Sequence, residues 1–317
     1  MRNIDPLHYG RIQKDDVNEL ALENHFQLIK EAEDFYESQL DAIVDAMESH
    51  EGLQIICLAG PSSSGKTTTA HKLQQHFIAR GRRSRVLSLD DFYLNPEDGP
   101  HFEDGTPDFE CVDALDIPVI NRCVAQLLTE GKTSVPQFDF HRHCRKEQWE
   151  EVVCGENDVI IMEGLHALNP RLTGLADESR ITRIYVSARS KFMDGDNVLI
   201  EPKELRLMRR MVRDVAKRST PPEETIKMWQ KVCDGERKYI DPYRDDADYK
   251  IDSSMDYEPC IFHGYLWSFM YESMDEENHQ VLEQLWDKLM VFRQIRDTTP
   301  IPEDSVIREF IGSRQDT

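Results

Sequence analysis

The sequence feature that most constrains the fold is the segment GPSSSGKT at residues 60–67. It matches the pattern G-x-x-x-x-G-K-[ST] at every fixed position. An apolar run, QIICLA at 54–59, precedes it, and residues 66–80 are compatible with a helix. In such a strand, loop and helix the backbone N–H groups and the positive end of the helix point at phosphate oxygens. The sequence therefore predicts a phosphate-binding loop, or P-loop, and its context disfavours a chance Gly/Ser turn.

Two side chains of this loop have specific predicted roles. The Lys66 ammonium can reach the β and γ phosphates of ATP, and the Thr67 hydroxyl can bind Mg²⁺. The predicted nucleotide-binding residues are Gly60, Ser62, Ser63, Ser64, Gly65, Lys66, Thr67 and Thr68.

Strand and helix signals alternate after the P-loop, which predicts an α/β fold with a parallel sheet. Short apolar or β-branched runs predict further strands at residues 85–89, 133–135, 158–162, 183–187 and 248–252. A helix is predicted at 114–130. Residues 203–233 have a helical pattern that is interrupted at Thr220-Pro221-Pro222, where a helix has to stop and restart. That break suits a movable lid.

Helical patterns also lie on both sides of this core. Residues 16–48 carry apolar side chains near helical spacing, which predicts one or two amphipathic helices, and the tail from about 260 to 317 is predicted to be helical as well. A partner-binding coiled coil at 16–48 is the alternative, but the heptad pattern is not clean. We predict an N-terminal helical extension at 1–50, a core at 51–260 with its lid at about 203–235, and a C-terminal helical extension at 261–317.

Composition excludes several classes of protein. With 38 basic and 60 acidic residues the net charge is −22, which argues against nonspecific nucleic-acid binding. There is no apolar run of about 18 residues and no apolar signal-peptide segment, so we expect a cytoplasmic protein that does not enter a membrane. The seven cysteines contain no C-x-x-C pair, and we expect reduced, mostly buried thiols.

Carboxylates follow two of the predicted strands. Asp90 and Asp91 come after the strand at 85–89, and Glu163 ends the apolar run VIIM at 159–162. The carboxyl ends of parallel strands form the ligand-binding edge of such sheets. One of the two aspartates can therefore take a proton from an attacking hydroxyl or hold water on the metal, and Glu163 is a second metal-directed residue. The alternative is that the paired aspartates form only a helix cap or turn.

The predicted lid has a high density of arginines. The five arginines are Arg206, Arg209, Arg210, Arg213 and Arg218. A lid that closes over ATP could use these guanidinium groups to neutralise charge on the transferred phosphoryl group. The alternative for each arginine is a solvated ion pair with one of the many carboxylates.

The segment PQFDFHRH at 136–143 mixes aromatic and polar side chains, as a ring-shaped substrate requires. Core packing with a surface histidine is an equal alternative, and a metal role for His141 and His143 is disfavoured.

Taken together, these motifs resemble the uridine kinase and phosphoribulokinase family of P-loop kinases over about residues 54–260. GPSSSGKTT is similar to its Walker A loop, SLDDFY to its D-S-F-Y segment and IIMEGLHAL to its F-E-G-I segment. DFECVDALD and VPQFDFHRHCRK resemble its substrate segments, and RLMRRMVRDVAKRS resembles its arginine-rich lid. ALNPRLTGLA, DGERKYIDPYRDDAD and SVIREFIGS resemble a bacterial branch of uridine kinase-like nucleoside kinases, here without the N-terminal TGS-type domain of its longer members.

The resemblance implies a doubly wound parallel sheet with the P-loop kinase fold, a helical lid, and added N- and C-terminal helices. It implies that Asp90 and Lys66 are catalytic and that Arg213 and Arg218 face phosphates. It also implies metal binding by Thr67, Glu163 and Asp90. The segments that bind the nucleoside contain Glu110, Phe138, Asp139, His143 and Arg210.

Three positions depart from the family pattern, all on the substrate side. Glu110 stands where the family has a ribose-binding aspartate, Phe138 replaces a tyrosine, and Thr220 replaces an arginine that helps to read the base. Because a lost hydrogen-bond donor changes discrimination, these departures bear on which acceptor is used.

The function predicted from the sequence is transfer of the γ-phosphoryl group of ATP, with Mg²⁺, to a primary hydroxyl of a uridine- or cytidine-like nucleoside. One alternative is a kinase for a sugar phosphate or another polyol. A second, from a different class, is a regulatory module that binds nucleotide without turnover, against which the complete set of carboxylates and arginines argues. The acceptor, the donor preference and a homo-oligomeric state are left open by the sequence.

Overall fold

A computed structural model of the protein describes residues 10–139, 142–272 and 274–313. The α-helices are α1 (Lys14–Met47), α2 (Lys66–Ala79), α3 (Ile117–Glu130), α4 (Pro202–Arg218), α5 (Pro222–Tyr239), α6 (Glu258–Phe269), α7 (Glu276–Leu289) and α8 (Arg308–Ile311). The strands are β1 (Arg11–Gln13), β2 (Gln54–Ala59), β3 (Ser84–Ser88), β4 (Lys132–Val135), β5 (Phe138–Asp139), β6 (Cys144–Arg145), β7 (Glu150–Val153), β8 (Val159–Glu163), β9 (Ile181–Ser187), β10 (Lys191–Asp194), β11 (Asn197–Ile200) and β12 (Tyr249–Asp252).

The central sheet has five parallel strands in the order β12-β9-β2-β8-β3. β2 has the predicted bounds, and the other predicted strands of this sheet lie within two residues of theirs. All five strands end at the same edge, which we call the carboxyl edge. The P-loop, Asp90 and Glu163 all lie at this edge, as the sequence predicts.

Helices cover both faces of this sheet. All residues of β2 and β8 are buried, which explains their continuous apolar sequences. Alternate side chains point to opposite faces: Ile56 and Leu58 pack into one hydrophobic cluster, and Ile55 and Cys57 pack into the other. This arrangement confirms the predicted doubly wound parallel sheet.

The first cluster joins the central sheet to both ends of the chain. Leu28 and Leu40 of α1 share it with Ile56 of β2 and with Phe310 of the tail. α1 is a single element with a kink at Asn24, where φ is −160° and ψ is 79°. The tail is helical in α6, α7 and the short α8, while residues 290–307 form no regular helix. The division into core and extensions remains a proposal, and α6 runs across its boundary at residue 260.

The second face is covered mainly by α3, whose first turn is capped by the Asp116 carboxylate accepting from the Val119 N–H at 3.2 Å. Two short antiparallel pairs, β4-β7 and β5-β6, extend from this side. A small sheet in the order β1-β10-β11 was not predicted from the sequence.

α4 and α5 correspond to the predicted lid. α4 ends at Arg218, the next residue, Ser219, has a left-handed φ of 53°, and α5 begins at Pro222. The break lies where Thr220-Pro221-Pro222 predicted it. Within the described ranges, no helix is both long and apolar enough to cross a membrane.

Candidate active site

Close packing at two glycines shapes the P-loop. A Cβ on Gly60 would lie 2.0 Å from the Val186 carbonyl oxygen. Gly65 has a φ of +84°, and a Cβ there would lie 2.6 Å from Cγ1 of Val306. Since other residues would clash or be strained at these positions, the loop needs glycine at both ends.

Two arginines of α4 hold the P-loop backbone. Arg209 is fully buried, donates to both oxygens of Glu258 at 2.7 and 2.6 Å, and donates to the Ser63 carbonyl at 3.3 Å. Arg206 donates to both oxygens of Glu236 at 2.6 and 2.8 Å and to the Ser62 carbonyl at 2.9 Å. These guanidinium groups are buried, ion-paired supports of the loop, whereas the sequence offered each arginine either a role at the phosphates or a solvated ion pair.

Lys66 lies at the start of α2, and its Nζ donates to the Pro61 carbonyl at 3.1 Å. Burial lowers the pKa of Lys66, while the nearby Glu163 and Asp90 carboxylates oppose this shift. An anionic ligand would favour the charged ammonium further, because opposite charges attract strongly in a buried site. The lysine is therefore placed to bind phosphate.

Glu163 lies at the end of β8, beside the P-loop. One of its oxygens accepts from the Ser88 hydroxyl at 3.0 Å and lies 3.5 Å from the Thr67 hydroxyl. Burial and the Asp90 charge raise the pKa of Glu163 to about 7, whereas Lys66 lowers it. These clustered oxygen donors fit Mg²⁺, which binds one or two protein oxygens and keeps phosphate and water ligands. In the described part of the chain no group of three His, Cys, Asp or Glu residues forms a metal cage.

The two adjacent aspartates have different environments. Asp90 lies in a short 3₁₀ turn, and burial raises its pKa, while Lys66 and Arg218 oppose the rise. Asp91 accepts from the Phe138 backbone N–H at 3.1 Å and so holds β5. Asp90 faces the charged groups of the P-loop and lid, while Asp91 links the site to the next segment.

The remaining lid arginines converge on Asp214, which is buried. Arg213 donates to its Oδ1 at 3.0 and 2.8 Å, and Arg218 lies 3.5 Å from the same atom. Arg210 lies 3.4 Å from Oδ2 and also donates to the Ser62 hydroxyl at 2.7 Å. The structure thus brings Arg210, Arg213 and Arg218 together above the P-loop through one carboxylate.

On the predicted acceptor side, Glu110 packs against α5. A Cβ added to Gly235 of that helix would lie 2.9 Å from the Cβ of Glu110. Burial and Glu236 raise the pKa of Glu110 to about 7, and Arg210 and Lys66 lower it. Glu110 therefore lies within electrostatic reach of both the lid and the P-loop.

The other three predicted acceptor residues differ in their placement. Phe138 is buried, with its ring 6.0 Å from that of Tyr93. Asp139 accepts from the Arg142 N–H at 3.1 Å. His143 is exposed and has a φ of 52°, and His141 lies outside the described residues. The structure brings Phe138 to the site through Asp91, whereas His143 stands at the surface.

Comparison with known proteins agrees with this geometry. The sequence profile of the phosphoribulokinase / uridine kinase family matches residues 55–258. The chain belongs to this family.

Individual relatives have modest identity to this chain. The uridine kinase of Saccharomyces cerevisiae is 31% identical over 206 residues, which are 64% of this chain and 37% of that protein. The uridine kinase of Deinococcus deserti is 27% identical over 216 residues, which are 68% of this chain and 95% of that protein. A solved structure described as a possible uridine kinase from Bacillus stearothermophilus has a TM-score of 0.45 and 17% identity and covers 68% of this chain and 98% of its own.

Several residues around this kinase site were not found from the sequence. Glu236 accepts from the Ser62 N–H at 3.0 Å, and Asp214 forms ion pairs with arginines of the lid. His166 is buried, and neither ring nitrogen makes a hydrogen bond within the described residues, although the Glu110 backbone lies near enough to raise its pKa. Burial outweighs this effect and lowers the pKa of His166 to about 4. The spacing of residues in the sequence gave no signal for these contacts. Only the place of His166 three residues after Glu163, in the segment IIMEGLHAL, could have suggested that His166 lies near the site.

Proposed function

We propose that this family member transfers the γ-phosphoryl group of ATP to a primary hydroxyl of a nucleoside, most simply the 5′-OH. The observation that carries this proposal is the convergence of Lys66, Asp90 and Glu163 at the carboxyl edge, where both carboxylates raise the pKa of Lys66 and Lys66 lowers the pKa of both carboxylates. A cation, a base and a metal-directed carboxylate beside a P-loop are the groups that phosphoryl transfer needs.

In the proposed reaction the acceptor oxygen attacks the γ phosphorus as the bond to the β–γ bridging oxygen breaks. Asp90 takes the proton of the attacking hydroxyl, and the bridging oxygen leaves on ADP with the electron pair of the broken bond. Lys66, Arg213 and Arg218 stabilise the charge on the transferred group. Burial around Asp90 raises its pKa and makes it a stronger base than an exposed aspartate.

Mg²⁺ would neutralise charge on the β and γ phosphates when bound. Thr67, Glu163 and Asp90 would hold it. The Ser88 hydroxyl orients the Glu163 oxygen that lies near Thr67, because it donates to that same oxygen.

The acceptor class is supported by the uridine kinases among the relatives, by the placement of Glu110 and Arg210 near the P-loop, and by Phe138, whose backbone N–H donates to Asp91 next to Asp90. Asp139 and His143 are proposed to act from the same segment. The observation that favours a sugar phosphate or another polyol is Thr220, which is half-buried and has no guanidinium to read a base.

The first experiment measures ADP release from ATP and Mg²⁺ with a panel of nucleosides, sugar phosphates and polyols, with products identified by mass. A nucleoside monophosphate would support the proposal and identify the base. Turnover of a polyol alone would replace the nucleoside by that acceptor, and tight ATP binding with no phosphorylated product would favour a regulatory module.

We further propose a cytoplasmic protein that does not bind nucleic acid, supported by the seven free thiols, of which six are buried, and by the net charge of −22. A homo-oligomeric state is proposed by analogy with related kinases and is tested by light scattering.

A further inference from the structure

The C-terminal segment at residues 305–311, here called the tail segment, contacts the P-loop although it lies outside the family match at 55–258. Val306 fills the space beside Gly65, where an added Cβ would lie 2.6 Å from its Cγ1. The ring centroid of Phe310 lies 5.0 Å from the guanidinium carbon of Arg209, which in turn donates to the Ser63 carbonyl. The tail segment therefore packs against the loop that binds phosphate.

Glu309 adds a polar contact to this packing. Its Oε2 accepts from the Thr68 hydroxyl at 2.9 Å. Its charge also reaches the site, since it raises the pKa of both Lys66 and Glu163. A carboxylate from the end of the chain thus acts on the first turn of α2, whose N–H groups face phosphate in a P-loop.

The tail segment is firmly held by contacts away from the P-loop. The Ser305 hydroxyl donates to Glu33 of α1 at 2.6 Å, and Asp304, the residue just before the segment, lies 2.9 Å from the Lys72 ammonium. Arg308 donates to the Thr298 and Ile301 carbonyls at 2.7 and 3.1 Å. Because its backbone is fixed, the tail segment can hold Thr68 in one conformation before a ligand binds.

We propose that Glu309 is a positioning residue for the nucleotide donor, which it serves by ordering Thr68 and the first turn of α2. The inference rests on the proposed function in taking ATP as the donor. Ordering a side chain before binding removes a cost of about 0.5–1.5 kcal/mol from the binding step. Most of this range, about 0.7–1.4 kcal/mol, corresponds to about a 3- to 10-fold change in Kd.

The test is calorimetric titration of ATP and Mg²⁺ without an acceptor, so that its result does not depend on the acceptor. We expect Glu309→Ala to raise the Kd for ATP by about 3- to 10-fold. Glu309→Gln should restore most of the affinity, since an amide oxygen can still accept from Thr68. Thr68→Val should weaken binding, and adding Glu309→Ala to it should cause little further loss.

Asp304→Asn is the matched control, because it loosens the tail segment without touching Thr68. We expect this control to lower the unfolding temperature while leaving the Kd for ATP unchanged. Equal weakening by Asp304→Asn and Glu309→Ala, or additive losses in the double variant, would contradict a positioning role. Normal ATP binding by Glu309→Ala would overturn the inference and leave the proposed function standing; a wild-type protein that does not bind ATP would overturn both.

Discussion

At the scale of single residues, Lys66, Asp90 and Glu163 share one buried electrostatic site. Burial disfavours the charged form of each, and their mutual interactions partly offset or reinforce this effect. Asp91 is adjacent in sequence to Asp90 but bonds to the Phe138 backbone. Substitutions of Asp90 and Asp91 should therefore have different effects.

Asp90→Asn should lower kcat by about 100-fold or more and leave the Kd for ATP nearly unchanged, because it removes the base without removing the P-loop. Asp91→Asn is the neighbouring control and should mainly lower the unfolding temperature. Steady-state kinetics, ATP titration and thermal unfolding of both variants separate these effects. Wild-type turnover by Asp90→Asn would rule out its assignment as the base.

The raised pKa of Glu110 predicts that the stability of the protein depends on pH. Burial raises its pKa from 4.5 to about 7, so the folded protein holds this proton at pH values where the unfolded chain has lost it. The contribution of Glu110 to the unfolding free energy therefore falls as the pH rises from 4.5 to about 7. Glu110→Gln should stabilise the protein by on the order of 1–2 kcal/mol at pH 8 and have little effect at pH 4.

Denaturant unfolding of wild type and Glu110→Gln at both pH values measures this difference. Equal stability changes at the two pH values would contradict a raised pKa for this carboxyl.

At the scale of elements, α4 divides its arginines between two tasks. Arg206 and Arg209 support the P-loop backbone, whereas Arg210, Arg213 and Arg218 meet at Asp214. Asp214 also accepts from the Thr225 hydroxyl of α5 at 3.4 Å. One buried carboxylate thus joins both lid helices and keeps three guanidinium groups close together without a ligand.

Asp214→Asn should destabilise the ligand-free protein by about 1–3 kcal/mol, because it leaves the lid arginines without their shared counter-charge. ATP and Mg²⁺ should then raise the unfolding temperature of the variant more than that of wild type, since phosphates replace the missing charge. Thermal unfolding with and without nucleotide measures both effects. Glu223→Gln, in an exposed pair with Lys227 on α5, is the control. Equal nucleotide stabilisation of all three proteins would contradict this role.

At the scale of the whole molecule, both ends of the chain complete the core of the kinase domain. Leu40 of α1 and Phe310 of the tail are fully buried in the cluster that covers one face of the central sheet. Glu33 of α1 also accepts from Tyr257 and Ser305, which joins the N-terminal extension to residues near the C-terminus.

A fragment of residues 51–260 should therefore fail to unfold cooperatively, because removing both extensions exposes apolar surface that they bury. Circular dichroism during heating, compared with the full chain, measures this. Cooperative unfolding of 51–260 near the wild-type temperature would support independent folding of the core.

The local sequence predicted most of the sheet because its signals are local. GPSSSGKT and the apolar run before it identify β2, the P-loop and α2, and the alternation of strands and helices predicts that the strands of the sheet are parallel. Prolines predicted the break between α4 and α5 because proline cannot continue a helix. The carboxyl-edge positions of Asp90 and Glu163 follow from the same alternation.

Only the tertiary structure decided which charges meet. The pairing of Arg209 with Glu258, of Arg206 with Glu236, and of Thr68 with Glu309 joins residues far apart in sequence. Such contacts depend on how helices pack across the sheet and carry no spacing that a sequence pattern can reveal. The sequence by itself determined the P-loop and the chemistry at its edge, whereas packing decided which arginines support the loop, which meet at Asp214, and that the tail reaches the nucleotide site.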